Sequence, residues 1–342
     1  MRFSLFSLLD VYDTEARTSV AIYQQTLEQI ALADELGFDS YWIGEHHGYL
    51  TPNQLLANPN PAILLAAAAK LTQRIGLNTA VANLSLRHPL QLAEDYALVD
   101  LLSQGRLGLG IGRGSFAHEY AAFGQDVAES FGRFEESWEI IQRLWRGEQV
   151  TFQGRYFQLE NAKLNVTPVQ QPFPRHWFSA IKGDSFATRG RATQPVISLP
   201  HISAKSFADA QKLVENHRSH YLAAGGDNEH YELPLILYTF VAPTRSEALH
   251  VAVDALRRYM EHQHPGSHEQ IMHVIHHLMD QKLLWFGTPS DLIEVIAQFQ
   301  AHIDPRHVVF WSDFGGLPPE LVTRSMWLIA QEVLPHFTGQ TN

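Results

Sequence analysis

Gly37-Phe38-Asp39-Ser40-Tyr41-Trp42-Ile43-Gly44-Glu45-His46-His47 is the stretch on which the reading of this chain turns. Gly37 follows a long amphipathic run and can take the left-handed conformation that closes a helix. Tyr41, Trp42 and Ile43 are aromatic or β-branched, which favours a strand. Glu45, His46 and His47 then place three ionisable groups where a buried strand should emerge. In a barrel of parallel strands the reactive groups sit at the C-terminal strand ends. The stretch therefore predicts helix, strand and site in succession.

The same rhythm runs outward in both directions. Upstream, Arg2–Leu9 is an apolar strand, and Ser19–Leu36 has helical spacing. Downstream, Tyr49–Pro61 is rich in proline and asparagine and predicts a loop. Pro61–Leu71 is an alanine-rich helix with proline at its first turn. Arg74–Val81 and Arg106–Ile111 follow as strands, with a helix over His88–Leu102 between them. A helix over Ser130–Trp145 leads into VTFQGRYFQLENAKLNV, which alternates and turns as a β-hairpin. Strands are then expected at His176–Ala180, Val196–Leu199, Leu233–Val241 and Val308–Trp311. Helices are expected from Ser185 to Ala192, Phe207 to Ala224, Ser246 to His262, Pro289 to His302 and Pro319 to Pro335. The pattern predicts an α/β chain, a (β/α)8 TIM barrel forming one domain over 1–342. Its insertions are the hairpin at about 148–170, after the fourth helix, and a lid-like segment at about 263–286, after the seventh.

Composition limits the function. A net charge of −11 argues against broad nucleic-acid or anionic-membrane binding. The absence of cysteine removes disulfides, thiolate metal sites and a cysteine nucleophile. MRFSLFSLLDVYD is too short an apolar run for a signal peptide, and no stretch reaches the length of a membrane helix. These features predict a cytoplasmic enzyme.

MRFSLFSLL, LADELGFDSYWIGEHH, IGLNTAVANLSLRHPLQLAEDYALVDLLSQGRLGLGIGRG, VTFQGRYF, FGTPSDLIEVI and IAQEVLPHF, in that order, resemble bacterial luciferase and its relatives, the luciferase-like flavin-dependent monooxygenases. The resemblance covers nearly the whole chain. It implies a barrel that binds FMN at the strand C-terminal ends. There the reduced flavin, supplied by a separate reductase, forms a C4a-peroxyflavin with O2 and oxygenates a small organic substrate. It also implies a non-proline cis peptide between Ala80 and Val81 against the flavin ring, and a homodimer formed through the helices after strands two and three. The Ala-rich helix 61–71 suits such close approach.

Each motif also has its own chemistry. Glu45, His46 and His47 are adjacent on a strand, so their side chains point to opposite faces, which disfavours one metal ion. Glu45 and His47 read as groups that hydrogen-bond neighbouring loops. His46 matches the family's active-site histidine, and a histidine can move a proton near neutral pH.

Gly108 and Gly110 tempt a dinucleotide reading, but the third glycine of G-x-G-x-x-G would fall on Arg113. The alternation with Leu107, Leu109 and Ile111 leaves one strand face bare. Close packing or the approach of a flat ring would each use that face. Arg113, at the strand exit, suits a phosphate by charge and fork geometry. It matches the family's phosphate contact, although bacterial luciferase has a reactive cysteine just before it where this chain has Gly112.

Lys182, Gly183, Asp184 and Ser185 open a helix, either as an anion cradle or as an ordinary cap by Asp184 or Ser185. The resemblance places FMN phosphate contacts here. His262, His264, His268, His273, His276 and His277 crowd the second insertion, where a solvated helix face is favoured over a zinc site. By resemblance this region is a mobile lid, with Trp285, Phe286 or His277 near the substrate channel. Phe6, Trp177, Phe310, Trp311 and Phe314 are aromatic pocket candidates. Three rival readings are a deazaflavin-dependent oxidoreductase, a non-catalytic flavin-binding protein and a metal-dependent hydrolase. A first strand without histidine counts against the last.

Overall fold

The computed structural model describes residues 1–12, 19–51, 54–56, 58–263 and 266–338. Among these, nine strands form one parallel sheet. They are β1 (Arg2–Ser7), β2 (Ser40–Ile43), β3 (Gly76–Asn83), β4 (Leu107–Gly112), β5 (Arg175–Ser179), β6 (Val196–Ile197), β7 (Leu235–Val241), β8 (Trp285–Gly287) and β9 (His307–Asp313). Their spatial order is β6-β5-β4-β3-β2-β1-β9-β7-β8. The sheet curls until Ser198, just past β6, makes a parallel bridge with Leu235 of β7. The Ser198 N–H donates to the Pro234 carbonyl at 3.1 Å, and its own carbonyl accepts from Ile236 at 2.9 Å.

These residues make buried parallel strands because both faces are covered. Every position of β2, β4 and β7 is buried, which suits continuous apolar runs rather than alternation. The helices that cover the outside carry their own stop and start signals. Gly37 ends the first one at φ +82°. Asn60 caps Pro61–Leu71 by accepting from the Ala62 N–H at 3.2 Å. That helix buries Ala62, Ala68 and Ala69.

The bare face of β4 is filled by its neighbours. A Cβ on Gly108 would collide with Asn78 and Trp177, and one on Gly110 with the Thr79 carbonyl. One on Gly112 would collide with the side chain of Val81. Close packing is thus the use made of these glycines. β3 shifts its register against β4 between Thr79 and Ala82, and the Ala80–Val81 peptide within that shift is cis.

Three sequence expectations change. Within Tyr49–Pro61, expected to be loop, Tyr49–Thr51 and Gln54–Leu56 are short strands. They pair antiparallel with each other, and the second also pairs with Asp10–Tyr12. Pairing with Asp10–Tyr12 overrides the weak local preference of the segment. Pro52, Asn53 and Ala57 of that segment lie outside the described residues, as does His264. Second, the region 263–286 contains a regular helix, His268–Asp280, with a capping box between Ser267 and Gln270. Its end is β8, a member of the sheet. Third, a short helix at Ala117–Ala122 was not anticipated. The hairpin pairs Val150–Gln153 with Gln158–Ala162, and Glu136 accepts the N–H groups of Arg155, Tyr156 and Phe157 at 2.8–3.0 Å.

The N-terminal end of the sheet is closed by polar groups. Ser4 lies 2.7 Å from both the Ser40 hydroxyl and His307 Nε2. Glu232 accepts from Trp177 Nε1 at 3.1 Å and pairs with Arg2 and Arg175. Burial would raise the Glu232 carboxyl, but His307 and the two arginines outweigh it and hold the pKa down to about 2. The opposite end carries the exposed chemistry. Among the described residues no helix is long and apolar enough to cross a membrane.

Candidate active site

At the C-terminal end of the sheet, β2 stops at Ile43 and the chain turns through Gly44 to His47. The space beside Gly44 is filled by the end of the Leu8 side chain, which a Cβ there would have to displace. The turn is pinned by Asn58, whose Nδ2 donates to the Gly44 carbonyl at 2.5 Å and whose carbonyl accepts from the His46 N–H at 3.1 Å. The two histidines then part. His47 Nε2 lies 3.1 Å from Glu45 Oε1, and the other oxygen of Glu45 accepts the Asn83 N–H at 3.1 Å. Glu45 thus ties the end of β2 to the end of β3.

His46 turns to a residue the sequence reading missed. Its Nδ1 is 3.0 Å from Oε1 of Glu119, and the same oxygen accepts the His47 N–H at 2.9 Å. Glu119 is buried on the short helix that follows β4. Burial would raise its pKa, but the His46 hydrogen bond and charge and the His47 amide hold it below the usual carboxylate range. An ionised carboxylate can only accept, so Nδ1 of His46 carries the hydrogen. Among the described residues none bonds Nε2, which is the atom left for chemistry. The ring of Phe116 lies against His46, with centroids 5.4 Å apart.

Arg113 leaves β4 at the same end. Its carbonyl accepts from the buried Tyr120 hydroxyl, and one guanidinium arm donates to Ser130 Oγ at 2.9 Å. The side chain is otherwise exposed. On the neighbouring strand β5, the chain runs through Ala180 into the helix Gly183–Arg191. Neither Asp184 nor Ser185 caps this helix. Lys182 is the N-cap and makes no side-chain cap bond. The Ser185 hydroxyl donates to the Lys182 carbonyl at 2.5 Å. Phe186 is buried and anchors the turn. A Cβ on Gly183 would touch only Leu213, at 3.7 Å, so the approach to the first-turn amides is open.

His46, Ala80–Val81, Arg113 and Lys182–Ser185 therefore stand at the ends of four consecutive strands, β2 to β5. The amides of Gly183 and Asp184, the Arg113 guanidinium arm not bonded to Ser130, and Lys182 suit a phosphate, whereas the Ser185 N–H already donates to the Lys182 carbonyl at 2.9 Å. The half-buried Ala80–Val81 segment offers a surface for a flat ring. The residues present fit an FMN.

The aromatic candidates divide. Phe6 meets Trp311 edge-on with centroids 4.9 Å apart, and Phe314 meets Tyr238 at 5.0 Å. These belong to the C-terminal end of β1, β7 and β9. Phe310 instead stacks on Phe3 at 5.7 Å, and Trp285 packs on Phe299 at 4.8 Å. That position removes both Phe310 and Trp285 from the channel. They face the helices because alternate strand residues do. Trp177 lies deeper, 4.8 Å from Trp42. Phe286 stacks on Phe314 at 5.8 Å. His277 instead donates from Nε2 to the Lys205 carbonyl at 3.0 Å. His273, His276 and His277 all lie on the exposed face of their helix, opposite Ile271, Ile275 and Leu278. Among the described residues no three histidines or carboxylates are grouped to hold a metal ion.

Comparison with known proteins agrees with this architecture. The family model for luciferase-like monooxygenases matches residues 1–303. An uncharacterized protein of Sinorhizobium fredii is 34% identical, but the match spans only about half of each chain, 53% of this one and 52% of that one. The oxygenase component of flavin-dependent trigonelline monooxygenase from Acinetobacter baylyi is 29% identical over 99% of this chain and 96% of its own. An F420-dependent glucose-6-phosphate dehydrogenase of Amycolatopsis mediterranei is 28% identical, over 90% of this chain and 93% of its own. Among solved structures, monooxygenase RslO1 from Streptomyces bottropensis superposes with a TM-score of 0.86 at 26% identity, covering 98% of this chain and all of that one. The oxygenating constituent of 3,6-diketocamphane monooxygenase from Pseudomonas putida, solved with FMN, superposes at 0.82 with 20% identity, covering 98% of each chain. The chain belongs to the luciferase-like monooxygenase family.

Proposed function

We propose that this flavin-dependent monooxygenase binds reduced FMN at the ends of β2 to β5 and transfers one oxygen atom of O2 to a small, hydrophobic organic substrate. In this reading residues 1–342 form one (β/α)8 barrel domain, with the segments at about 148–170 and 263–286 as its insertions. The observation that carries the proposal is the His46–Glu119 pair, which joins the ends of β2 and β4 across β3, the strand that carries Ala80–Val81, with Arg113 at the exit of β4. When bound, reduced FMN supplies the electrons that activate dioxygen.

The chain's own residues then have distinct tasks. Arg113 and Lys182, with the amides of Gly183 and Asp184, hold the phosphate, and Ser185, whose N–H and hydroxyl both donate to the Lys182 carbonyl, braces the turn that presents them. Asp184 contributes its N–H rather than its carboxylate, since a second anion beside phosphate is unfavourable. Ala80 and Val81 support the ring. His46 holds or moves a proton at Nε2, and Glu119 fixes the tautomer that leaves this atom free. Phe116 covers one side of the His46 ring and limits water there.

A relative described as an oxygenase component supports a separate flavin reductase as partner. We place the enzyme in the cytoplasm, as a homodimer. Ile63 and Leu71 on one helix and Leu98 and Leu102 on the next are exposed and would be covered by a second copy. The F420-dependent relative supports a second reading, hydride transfer with that deazaflavin and no oxygen chemistry.

Anaerobic titration with reduced FMN, followed by mixing with oxygenated buffer and measurement of oxygen uptake, separates the two. Tight binding of reduced FMN with substrate-dependent oxygen incorporation supports the monooxygenase. Binding of reduced F420 alone, without oxygen uptake, overturns it in favour of the second reading.

A further inference from the structure

Arg113 is exposed, yet both of its ends are held by buried groups. The Tyr120 hydroxyl donates to its carbonyl, and Ser130 Oγ accepts from Nη1 of its guanidinium at 2.9 Å. Tyr120 is fully buried and Ser130 is 1% exposed. Ser130 is fixed in turn by Ser85, just past the end of β3, whose hydroxyl donates to the Ser130 carbonyl at 3.0 Å. Burial pushes the Tyr120 phenol up, and the Ser85 and Ser130 hydroxyls and the Arg113 charge only partly offset it. The phenol therefore stays protonated and donates. This buried hub joins the ends of β3 and β4 to the helices Ala117–Ala122 and Ser130–Trp145.

The residue before Tyr120 serves a different strand. Glu119 accepts from His46 Nδ1 at 3.0 Å and from the His47 N–H at 2.9 Å, beyond the end of β2. At 3.6 residues per turn, successive helical side chains point in different directions, so one helical turn reaches two strand ends. The two tasks are therefore separable by substitution. A free arginine on the surface loses side-chain freedom when it grips an anion, and one that is already held loses less. Its planar fork also matches phosphate oxygens only in a narrow range of orientations. Holding Arg113 at both its carbonyl and its guanidinium reduces that ordering cost before any ligand arrives.

We propose that Tyr120 and Ser130 are positioning residues that preorganise Arg113 for the FMN phosphate and so set the preference of this enzyme for FMN over riboflavin. The proposal rests on the FMN reading above and deepens it by naming the residues that make the arginine selective. Neither residue touches the reacting atoms. Their effect is confined to the phosphate end of the cofactor, whereas Glu119 acts at His46.

The test measures dissociation constants of reduced FMN and reduced riboflavin by anaerobic calorimetry. It uses full-length wild type, Tyr120→Phe, Ser130→Ala, the double variant and Glu119→Gln. The wild type is expected to prefer FMN by about tenfold or more, since charge-assisted bonds reach only the phosphate. Each single variant should lower that preference by about three- to tenfold and leave riboflavin within about twofold of the parent. The double variant should lose less than the product of the two, because both act on one arginine. Glu119→Gln should keep the preference. Circular dichroism checks the fold of each protein, and if Tyr120→Phe does not fold, Ser130→Ala decides by the same criteria. Equal weakening of both flavins in the single variants, or an equal loss of preference in Glu119→Gln, would mean general loosening of the helix and overturns the proposal. A wild type that binds the two flavins equally, or binds neither, overturns the phosphate site and this proposal with it. A wild-type preference kept in full by both single variants overturns the positioning pair alone.

Discussion

Nδ1 of His46 lies 3.0 Å from Oε1 of Glu119, and the same carboxylate oxygen takes the backbone N–H of His47 at 2.9 Å. One buried carboxylate therefore sets both the ring orientation of the catalytic candidate and the path of the loop that carries it. Glu119→Gln keeps an acceptor oxygen but removes the charge. Turnover is expected to fall by about 10–100-fold while the FMN dissociation constant stays within about threefold. Steady-state kinetics with a parallel FMN titration checks this, and unchanged turnover would reduce Glu119 to a structural brace.

Arg113 offers its free guanidinium arm at the exit of β4, beside the uncapped helix start at Lys182. Arg113→Ala is expected to weaken FMN by about 10–100-fold and riboflavin by less than about threefold, since only FMN carries the phosphate. Fluorescence titration with the two flavins gives the ratio directly. Equal weakening of both would mean that Arg113 does not read the phosphate.

The close approach of β3 to Gly110 makes a sharp structural prediction. A methyl group there would run into the Thr79 carbonyl, a backbone atom that cannot swing aside. Gly110→Ala should cost about 1–3 kcal/mol of stability. Chemical denaturation measures the loss. A variant as stable as the parent would show that β3 can yield at this point.

Asp10 is buried, accepts from Tyr12 at 2.8 Å and from the Gly315 N–H at 2.9 Å, and lies near Asp313. Burial first, and then the charge of Asp313, push its pKa up to about 7 despite those hydrogen bonds. The folded state therefore binds a proton more tightly than the unfolded chain. The associated stability is present below about pH 4 and is lost as pH rises through about 7. Asp10→Asn removes the ionisation and should raise the melting temperature at pH 8 relative to the parent, with little gain at pH 4. Melting curves at the two pH values decide it, and an equal change at both would rule out the titration.

Ile63 is 70% exposed and Leu71 of the same helix is also exposed, with Leu98 and Leu102 exposed on its neighbour. Ile63→Glu should shift a homodimer toward monomer in light scattering while leaving far-ultraviolet circular dichroism unchanged. A parent protein that is already monomeric would remove the dimer from the proposal.

Much of the architecture was legible because it is locally encoded. The 3.6-residue spacing of Ser19–Leu36, Gly37 at its end and the apolar run of Tyr41–Ile43 each state a backbone conformation within a few residues. The short strands at Tyr49–Thr51 and Gln54–Leu56 were not legible, because their partner is Asp10–Tyr12, far away in sequence. The site divides the same way. Family motifs pointed to His46, Ala80–Val81, Arg113 and 182–185, each at a strand end. Glu119 carried no local sign, since its meaning is a contact with a residue 73 positions earlier. Phe310 and Trp285 were misassigned because aromaticity does not say which face of a strand a side chain takes.

By itself, the sequence determined the alternation of strands and helices, the acidic cysteine-free character of the chain and the strand ends where chemistry gathers. Those properties depend on hydrogen bonding and burial patterns that repeat over a few residues. Only the tertiary structure decided that β3 fills the glycine face of β4 and that Glu119 reaches His46. Each of these is a meeting of side chains from distant segments. Such meetings follow from the register and curl of the whole sheet, which no local spacing encodes.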